Sequence, residues 1–180
     1  IINGHYTLCL HQVDDFAIAA HNEAQANDII TCINKHLRLP IHSLGIIRRF
    51  NGMDVDQTKH YIKIHSTKYL TKLAQSHSWI NLETIGNNPL PFSSDPSSLS
   101  KLLNCSLPAT MEEQQKLEQQ MGFKYRHVMG EVMYPMIKCR PDISTHTILL
   151  SQYMNNPGEA HYIALKHLVH YLAATKTEGI

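Results

Sequence analysis

The stretch Thr7-Leu8-Cys9-Leu10-His11-Gln12-Val13-Asp14-Asp15-Phe16-Ala17-Ile18-Ala19-Ala20 decides how this chain is read. Two short apolar segments, Thr7 to Val13 and Phe16 to Ala20, are separated only by Asp14 and Asp15. Apolar runs around a two-residue polar centre predict a β-hairpin with both acids at its tip. Asp-Asp is an unusual centre, because two-residue hairpin loops favour Gly or Asn. By itself, an Asp-Asp pair at a hairpin tip reads as an ordinary solvated turn.

Working outward, Asn22 to Leu37 carries Ala26, Ile30, Ile33 and Leu37 at helical spacing. Asn22 with Gln25 resembles a capping box, and Pro40 closes the element. Its apolar stripe is expected to lie against the sheet. Arg48 to Val55 and His60 to His65 are extended in character, with Asp56 to Lys59 as the polar turn between them. Ile62 and Ile64 alternate with polar neighbours at the period of a half-buried strand. Ser66 then suits the N-cap of a helix with Tyr69, Leu70, Leu73 and Ala74 on one face.

Composition changes at Asn81 to Pro108, which holds Pro89, Pro91, Pro96, Pro108 and a serine cluster without periodicity. That span reads as an extended, largely irregular connector. Beyond it the pattern is helical throughout. Thr110 and Glu113 form a capping box for a helix that Gly122 ends. Tyr125 to Lys138 is a second helix, with Pro135 as a kink or early stop. Asp142 to Met154, opened by Pro141, and Glu159 to Ala174 complete the series. Hairpins followed by helices define an α+β chain.

Composition bounds the function. At 180 residues and 43% hydrophobic the chain can bury a core, and its net charge of +1 excludes neither acidic nor nucleic-acid partners. From Lys35 to Lys72, however, Lys35, Arg38, Arg48, Arg49, Lys59, Lys63, Lys68 and Lys72 face only Asp54 and Asp56, a local balance of 8 − 2 = +6. No basic start leads into an apolar run, and no apolar run approaches a membrane span, so neither a secretory signal nor a membrane partner is expected. Cys9, Cys32, Cys105 and Cys139 lie far apart without CxxC spacing, as reduced intracellular thiols do. The 13 histidines lack the paired, close-spaced ligands of structural zinc and read as surface or packing residues. His167 and His170, three apart on one helix, have no second pair to complete a site. The opening Ile1-Ile2-Asn3-Gly4 lacks a methionine and reads as mid-domain sequence.

Taken in order, these motifs resemble a known family. Gln12-Val13-Asp14-Asp15 resembles the Tyr-x-Asp-Asp motif of reverse transcriptases, and Phe50-Asn51-Gly52-Met53-Asp54-Val55 resembles the Phe-Leu-Gly-Ile-Glu-Val strand of copia-type retrotransposons. Tyr61-Ile62 and Ser66-Thr67-Lys68-Tyr69-Leu70 match that family's next strand and helix. The distal succession is the most specific: Tyr125-Arg126, Gly130, Tyr134, Arg140-Pro141-Asp142-Ile143, Pro157, His161, Lys166, Tyr171-Leu172, Thr175 and Gly179. It resembles the segment that links the copia polymerase to its ribonuclease H. Two positions depart from the pattern, Gln12 for Tyr and Asn51 for Leu.

The resemblance implies a partial reverse-transcriptase palm over residues 1–65, a thumb-like helix over 66–80, the connector over 81–108, and a helical thumb and connection region over 109–180. It implies RNA-directed DNA polymerase chemistry, a two-metal nucleotidyl transfer, with Asp14 as Mg²⁺ (or Mn²⁺) ligand and Asp15 assisting. Gln12 and Val13 would lie near the primer end. Arg48, Arg49, Lys59, Lys63, Lys68 and Lys72 would grip the backbone of an RNA/DNA template–primer duplex, with a dNTP as co-substrate. The family's other metal-binding aspartate and its fingers would lie upstream, and its ribonuclease H downstream. The isolated span is therefore expected to be inactive, in an intracellular setting such as a virus-like particle or the nucleus. The alternative is a degenerate retroelement remnant that at most binds nucleic acid weakly. An unrelated Asp-dependent metallohydrolase would leave the distal block unexplained.

Overall fold

A computed structural model describes residues 4–80, 90–92, 95 and 97–180. The chain divides into two compact units, Ile1–Lys63 and Ile64–Ile180. The calls on residues 1–3 and on 81–89, 93, 94 and 96 of the connector lie outside the described residues.

In the first unit, β1 (Leu8–Gln12) and β2 (Asp15–Ala19) pair antiparallel, with Leu8 opposite Ala19 and Gln12 opposite Asp15. The turn is therefore Val13-Asp14, one residue earlier than the Asp14-Asp15 tip read from sequence, and Asp15 is the first residue of β2. Val13 has φ 52, the left-handed region, where a β-branched side chain is strained. His11 braces that turn. Its Nε2–H donates to the Val13 carbonyl at 2.7 Å, and its ring stacks on Phe16 at 4.5 Å.

Helix α1 (Glu23–Asn34) starts where the capping signal placed it. The Asn22 carboxamide accepts from the Gln25 N–H at 2.9 Å, and Gln25 Oε1 accepts from His21 N–H at 2.9 Å. The helix ends before the expected Leu37. There the Asn34 side chain brackets Ile41, donating to its carbonyl and accepting from its N–H. A closed hairpin follows: β3 (Arg49–Phe50) and β4 (Met53–Gln57), joined by Asn51-Gly52 with φ 49 and 80. That is the type I′ pattern which Asn-Gly favours. Arg48 to Val55 is thus folded back on itself instead of running as one extended segment, and Asn51 is a turn residue. A second turn, closed by Thr58 N–H on the Tyr61 carbonyl (2.9 Å), leads into β5 (Ile62–His65), giving the strand order β3–β4–β5.

Among the described residues of this unit, only Gln25 and Asp54 are buried. Leu8, Leu10 and Ala19 are exposed on one face, which they share with the half-buried Ala17, while Phe16 and Ile18 on the other face line an open cleft with Ala26 and Ile30 of α1. The expected helix-on-sheet layer is therefore present as a cleft wall, not as an interlocked core.

The core belongs to the second unit. Helices α2 (Thr67–Ser76), α5 (Tyr125–Lys138) and α7 (Glu159–Ala174) bury Leu70, Leu73, Val128, Met129, Val132, Leu165, Leu168, Val169 and Leu172 together. Within the sequence-read connector, Ser97–Leu103 forms a helix, α3, that sinks Leu102 into the same core. Asp95 accepts from the Ser97 N–H and hydroxyl and from Lys101, and those bonds hold its carboxyl at about 2. Helix α4 (Met111–Met121) has the capping box read from sequence: Thr110 Oγ1 accepts from Glu113 N–H, Glu113 reaches back to Ala109 N–H, and Gly122 ends the helix at φ 83. A 3₁₀ turn, Pro141–Ile143, precedes α6 (Ser144–Ser151).

Pro135 neither stops α5 nor leaves its lost hydrogen bond open. Proline removes the N–H that would bond the carbonyl four residues back, which is that of Glu131. The Tyr69 hydroxyl donates to that carbonyl instead, at 2.9 Å. Burial, then the neighbouring Glu131 and Tyr134, push the Tyr69 hydroxyl up to about 12. At the chain's far end Ile64 and Ile180 exchange both backbone hydrogen bonds, and His65 bridges Gly179. A Cβ at Gly179 would collide with the Ile64 carbonyl, so glycine is required by that approach.

Two outcomes follow from this division. Hydrogen exchange followed by mass spectrometry should show β1, β2 and α1 exchanging well before α5 and α7, because local opening is cheapest where little apolar surface is buried. Tyr69→Phe should lower unfolding stability by about 1–3 kcal/mol, since it leaves the Glu131 carbonyl without its donor; denaturant titration measures it.

Candidate functional site

An open cleft of about 890 Å³ in the first unit is lined by Asp14, Asp15, Phe16, Ile18, Ala26, Ile30, the loop 41–47, Arg48, Arg49 and Phe50. Each polar group arrives by a local device. The Val13 turn presents Asp14, the start of β2 presents Asp15, and the type I′ turn folds β3 back so that Arg48 and Arg49 stand at its entry. Arg49 lies in register opposite Asp54. Asp14, Asp15, Arg48 and Arg49 are all exposed, so ligands and solvent can reach them. Across the unit, Asn51 Nδ2 donates to Gln12 Oε1 at 3.0 Å, joining the two positions that depart from the resembled pattern.

The structure brings together four of the sequence-nominated residues, the two acids and the two arginines. Lys59 and Lys63 belong to the same unit but do not line the cleft; Lys59 sits in the Thr58–Tyr61 turn and Lys63 in β5. Lys68 and Lys72 stand four apart on the exposed side of α2, in the second unit. Val13 is 80% exposed at the hairpin tip. Sequence reading missed His42 and Ser43 in the cleft wall. Nothing in their local sequence marks them, because the Asn34–Ile41 bracket brings that loop back.

The donor set speaks to metal chemistry. Two adjacent hard carboxylates suit one edge of a Mg²⁺ or Mn²⁺ site, which completes its shell with water and phosphate oxygens. Among the described residues no group of three or more His, Cys, Asp or Glu is arranged to hold a metal. Two exposed guanidinium groups beside them suit phosphates.

The distal motif residues turn out to hold the fold. Arg140, 1% exposed, forks onto Asp142 through Nε (2.9 Å) and Nη2 (2.7 Å) and donates to the Thr175 carbonyl and hydroxyl. Tyr171 donates to the same Asp142 at 2.8 Å and lies under the guanidinium. His161 Nδ1 accepts from the Gly158 N–H at the start of α7, and Lys166 lies over Trp79 and Phe123. Gly158 has no room for a Cβ against Ser106 and Cys105. His167 bonds the Leu90 carbonyl, and His170 lies beside Trp79.

Burial acts first on several titrating groups here. It pushes the imidazoles of His146, His161 and His170 down, aided at His146 and His170 by His167. Burial also works to raise the Asp142 carboxyl. The Arg140 and Tyr171 hydrogen bonds outweigh it, and the carboxyl sits below its ordinary value.

No family model matches the chain, and no solved structure matches it. The curated relatives include the "Retrovirus-related Pol polyprotein from transposon TNT 1-94" of Nicotiana tabacum, 24% identical over 172 residues, which cover 94% of this chain and 12% of that protein. The transposon RE1 Pol polyprotein of Arabidopsis thaliana is 44% identical over 57 residues, 32% of this chain and 4% of that protein. A "Secreted RxLR effector protein 161" of Plasmopara viticola is 38% identical over 56 residues, covering 31% of this chain and 39% of that protein. The chain therefore spans about a tenth of the length of a Pol polyprotein that it matches nearly from end to end. No described helix is long and apolar enough to cross a membrane.

These titrating groups set a pH dependence. At His146, His161, His170 and Asp142 the unfolded chain takes up protons before the folded chain does, so stability falls as pH falls. Denaturation midpoints should drop first as pH passes below about 6.5, where unfolded imidazoles charge, and again below about 4, where unfolded carboxylates protonate. Asp142→Asn should blunt the second drop and leave the first. Arg140→Ala should cost about 3 kcal/mol, the low end for a broken buried pair, because Asp142 is 39% exposed and can rehydrate.

Proposed function

We propose that this relative of plant-transposon Pol polyproteins is the rear part of a reverse-transcriptase palm with its helical thumb and connection region, one edge of an RNA-directed DNA polymerase site. The observation that carries the reading is the meeting of Asp14 and Asp15 with Arg48 and Arg49 around one cleft, in a chain similar to Pol polyproteins along 94% of its length.

Each residue has a physical task in this reading. The Asp14 and Asp15 carboxylates would hold Mg²⁺ or Mn²⁺, Asp14 as direct ligand and Asp15 assisting, and a metal held there would supply stabilisation of charge developing on the transferred phosphoryl group. Arg48 and Arg49 bind backbone phosphates of the template–primer duplex, without reading its sequence. Lys59 and Lys63 add to the attraction from outside the cleft, and Lys68 and Lys72 offer a further cationic stripe on α2. Gln12 takes the place of the tyrosine in the resembled motif and presents an amide where that motif has a ring. The rest of the metal shell and the dNTP site come from other parts of the polyprotein.

Binding and chemistry separate in the test. Anisotropy titration of a labelled primer–template at several salt concentrations should show weak, sequence-blind binding by the full chain. Each phosphate neutralised adds roughly −0.9 to the log–log slope on B-form DNA. Changing Arg48, Arg49 and Lys63 to Ala should flatten that slope and weaken every sequence alike; unchanged binding would support a remnant without nucleic-acid function. Templated nucleotide incorporation by the 180-residue chain should be undetectable, and Mg²⁺-dependent incorporation abolished by Asp14→Asn would show a more complete site than proposed.

A further inference from the structure

We propose that Gln12 and Asn51 are a positioning pair that sets the acid-bearing turn against the arginine-bearing hairpin. The proposal rests on the reading of the cleft as a nucleic-acid site and deepens it. Gln12 is the last residue of β1, in register with Asp15 and one residue ahead of the Val13-Asp14 turn. Asn51 is the first turn residue of the second hairpin, two residues beyond Arg49. Their 3.0 Å carboxamide bond joins the two tips across 39 residues of chain.

Three features make this bond a positioning device. First, the unit buries no apolar side chain among its described residues, so packing does little to set the angle between the hairpins. A directional bond between their tips has correspondingly more leverage. Second, Asn51 is held at φ 49 by its turn, which fixes the backbone from which its amide is presented. Asparagine suits both tasks, because it tolerates the left-handed region and carries an N–H donor. Third, the two residues match each other chemically. The Asn51 amide donates and the Gln12 side-chain carbonyl accepts, so the two carboxamides satisfy each other.

The test uses the 180-residue chain and the variants Asn51→Gly, Gln12→Ala and the double. Glycine preserves the left-handed turn, so Asn51→Gly removes the amide and leaves the hairpin. NMR should show a cross-peak between the two carboxamides in the wild type. In Asn51→Gly, the Phe50–Met53 cross-strand contacts should persist while the Asp14 and Asp15 amide resonances move. Gln12→Ala should move the same resonances, and the double should move them no further. Asn51→Asp, which offers an acceptor to the Gln12 Nε2–H, should return them toward their wild-type positions. Duplex affinity should fall roughly two- to tenfold in each single variant, the scale of one hydrogen bond, with no further loss in the double and an unchanged salt slope. Asp14 and Asp15 resonances that stay fixed in Asn51→Gly, or additive losses in the double, would overturn the pair. A wild type that binds no duplex would instead remove the nucleic-acid reading, while the NMR comparison still decides the positioning.

Discussion

The second unit is organised around a buried guanidinium. Arg140 is among the largest fully buried side chains, and burying a charge is unfavourable unless it is paired and hydrogen-bonded. Here the pairing dictates the surrounding chain. The fork onto Asp142 needs the tight 3₁₀ turn begun by Pro141, and the two bonds to Thr175 fix the end of α7. The Thr67 hydroxyl in turn donates to the Lys176 carbonyl. The chain then runs as Gly179–Ile180 along Ile64 and His65, where only glycine fits. A single desolvated charge therefore ties together the end of α5, the start of α6, the end of α7 and the start of the unit. Ser66 Oγ beside Cys139 Sγ at 2.9 Å adds a buried polar contact in the same region.

The first unit works by different means. Its shape depends on turn chemistry and directional bonds: the Asn22 cap, the Asn34 bracket on Ile41, the Asn-Gly turn, the His11 brace and the Gln12–Asn51 bond. Each is a polar interaction of modest strength, and all but the Gln12–Asn51 bond are local in the chain. Such a unit keeps its charged groups accessible, and Asp14, Asp15, Arg48 and Arg49 remain open to ligand. The division of labour has a physical logic. Exposed charges keep their hydration and need no internal partner, whereas a core requires buried charges to be paired.

The similarity to plant-transposon Pol polyproteins extends over both units, and the distal residues singled out in the sequence are structural. Arg140, Asp142, Tyr171, Thr175, His161 and Gly179 cap helices, pair charges or permit close backbone approach. They report the architecture of the second unit.

Much was legible in the sequence where the signal was local. Capping residues placed the starts of α1 and α4, periodicity placed α5 and α7, and Gly122 marked an end, because each depends on neighbours within one or two turns. The Asn51-Gly52 turn was equally local, yet the resemblance to a continuous strand hid it. The Val13-Asp14 tip lay beyond reach for a different reason: hairpin register is set by pairing across strands, and a one-residue slip reverses every face. Helix α3 hid in a proline- and serine-rich span because burial of Leu102, not propensity, secures it. Tertiary structure alone decided that Tyr69 would replace the hydrogen bond lost at Pro135, that Gln12 would meet Asn51, and that only two of the first unit's four nominated basic residues would line the cleft with the acids. Those outcomes depend on distances between segments far apart in the chain, and a linear sequence records residue types, not the space between them.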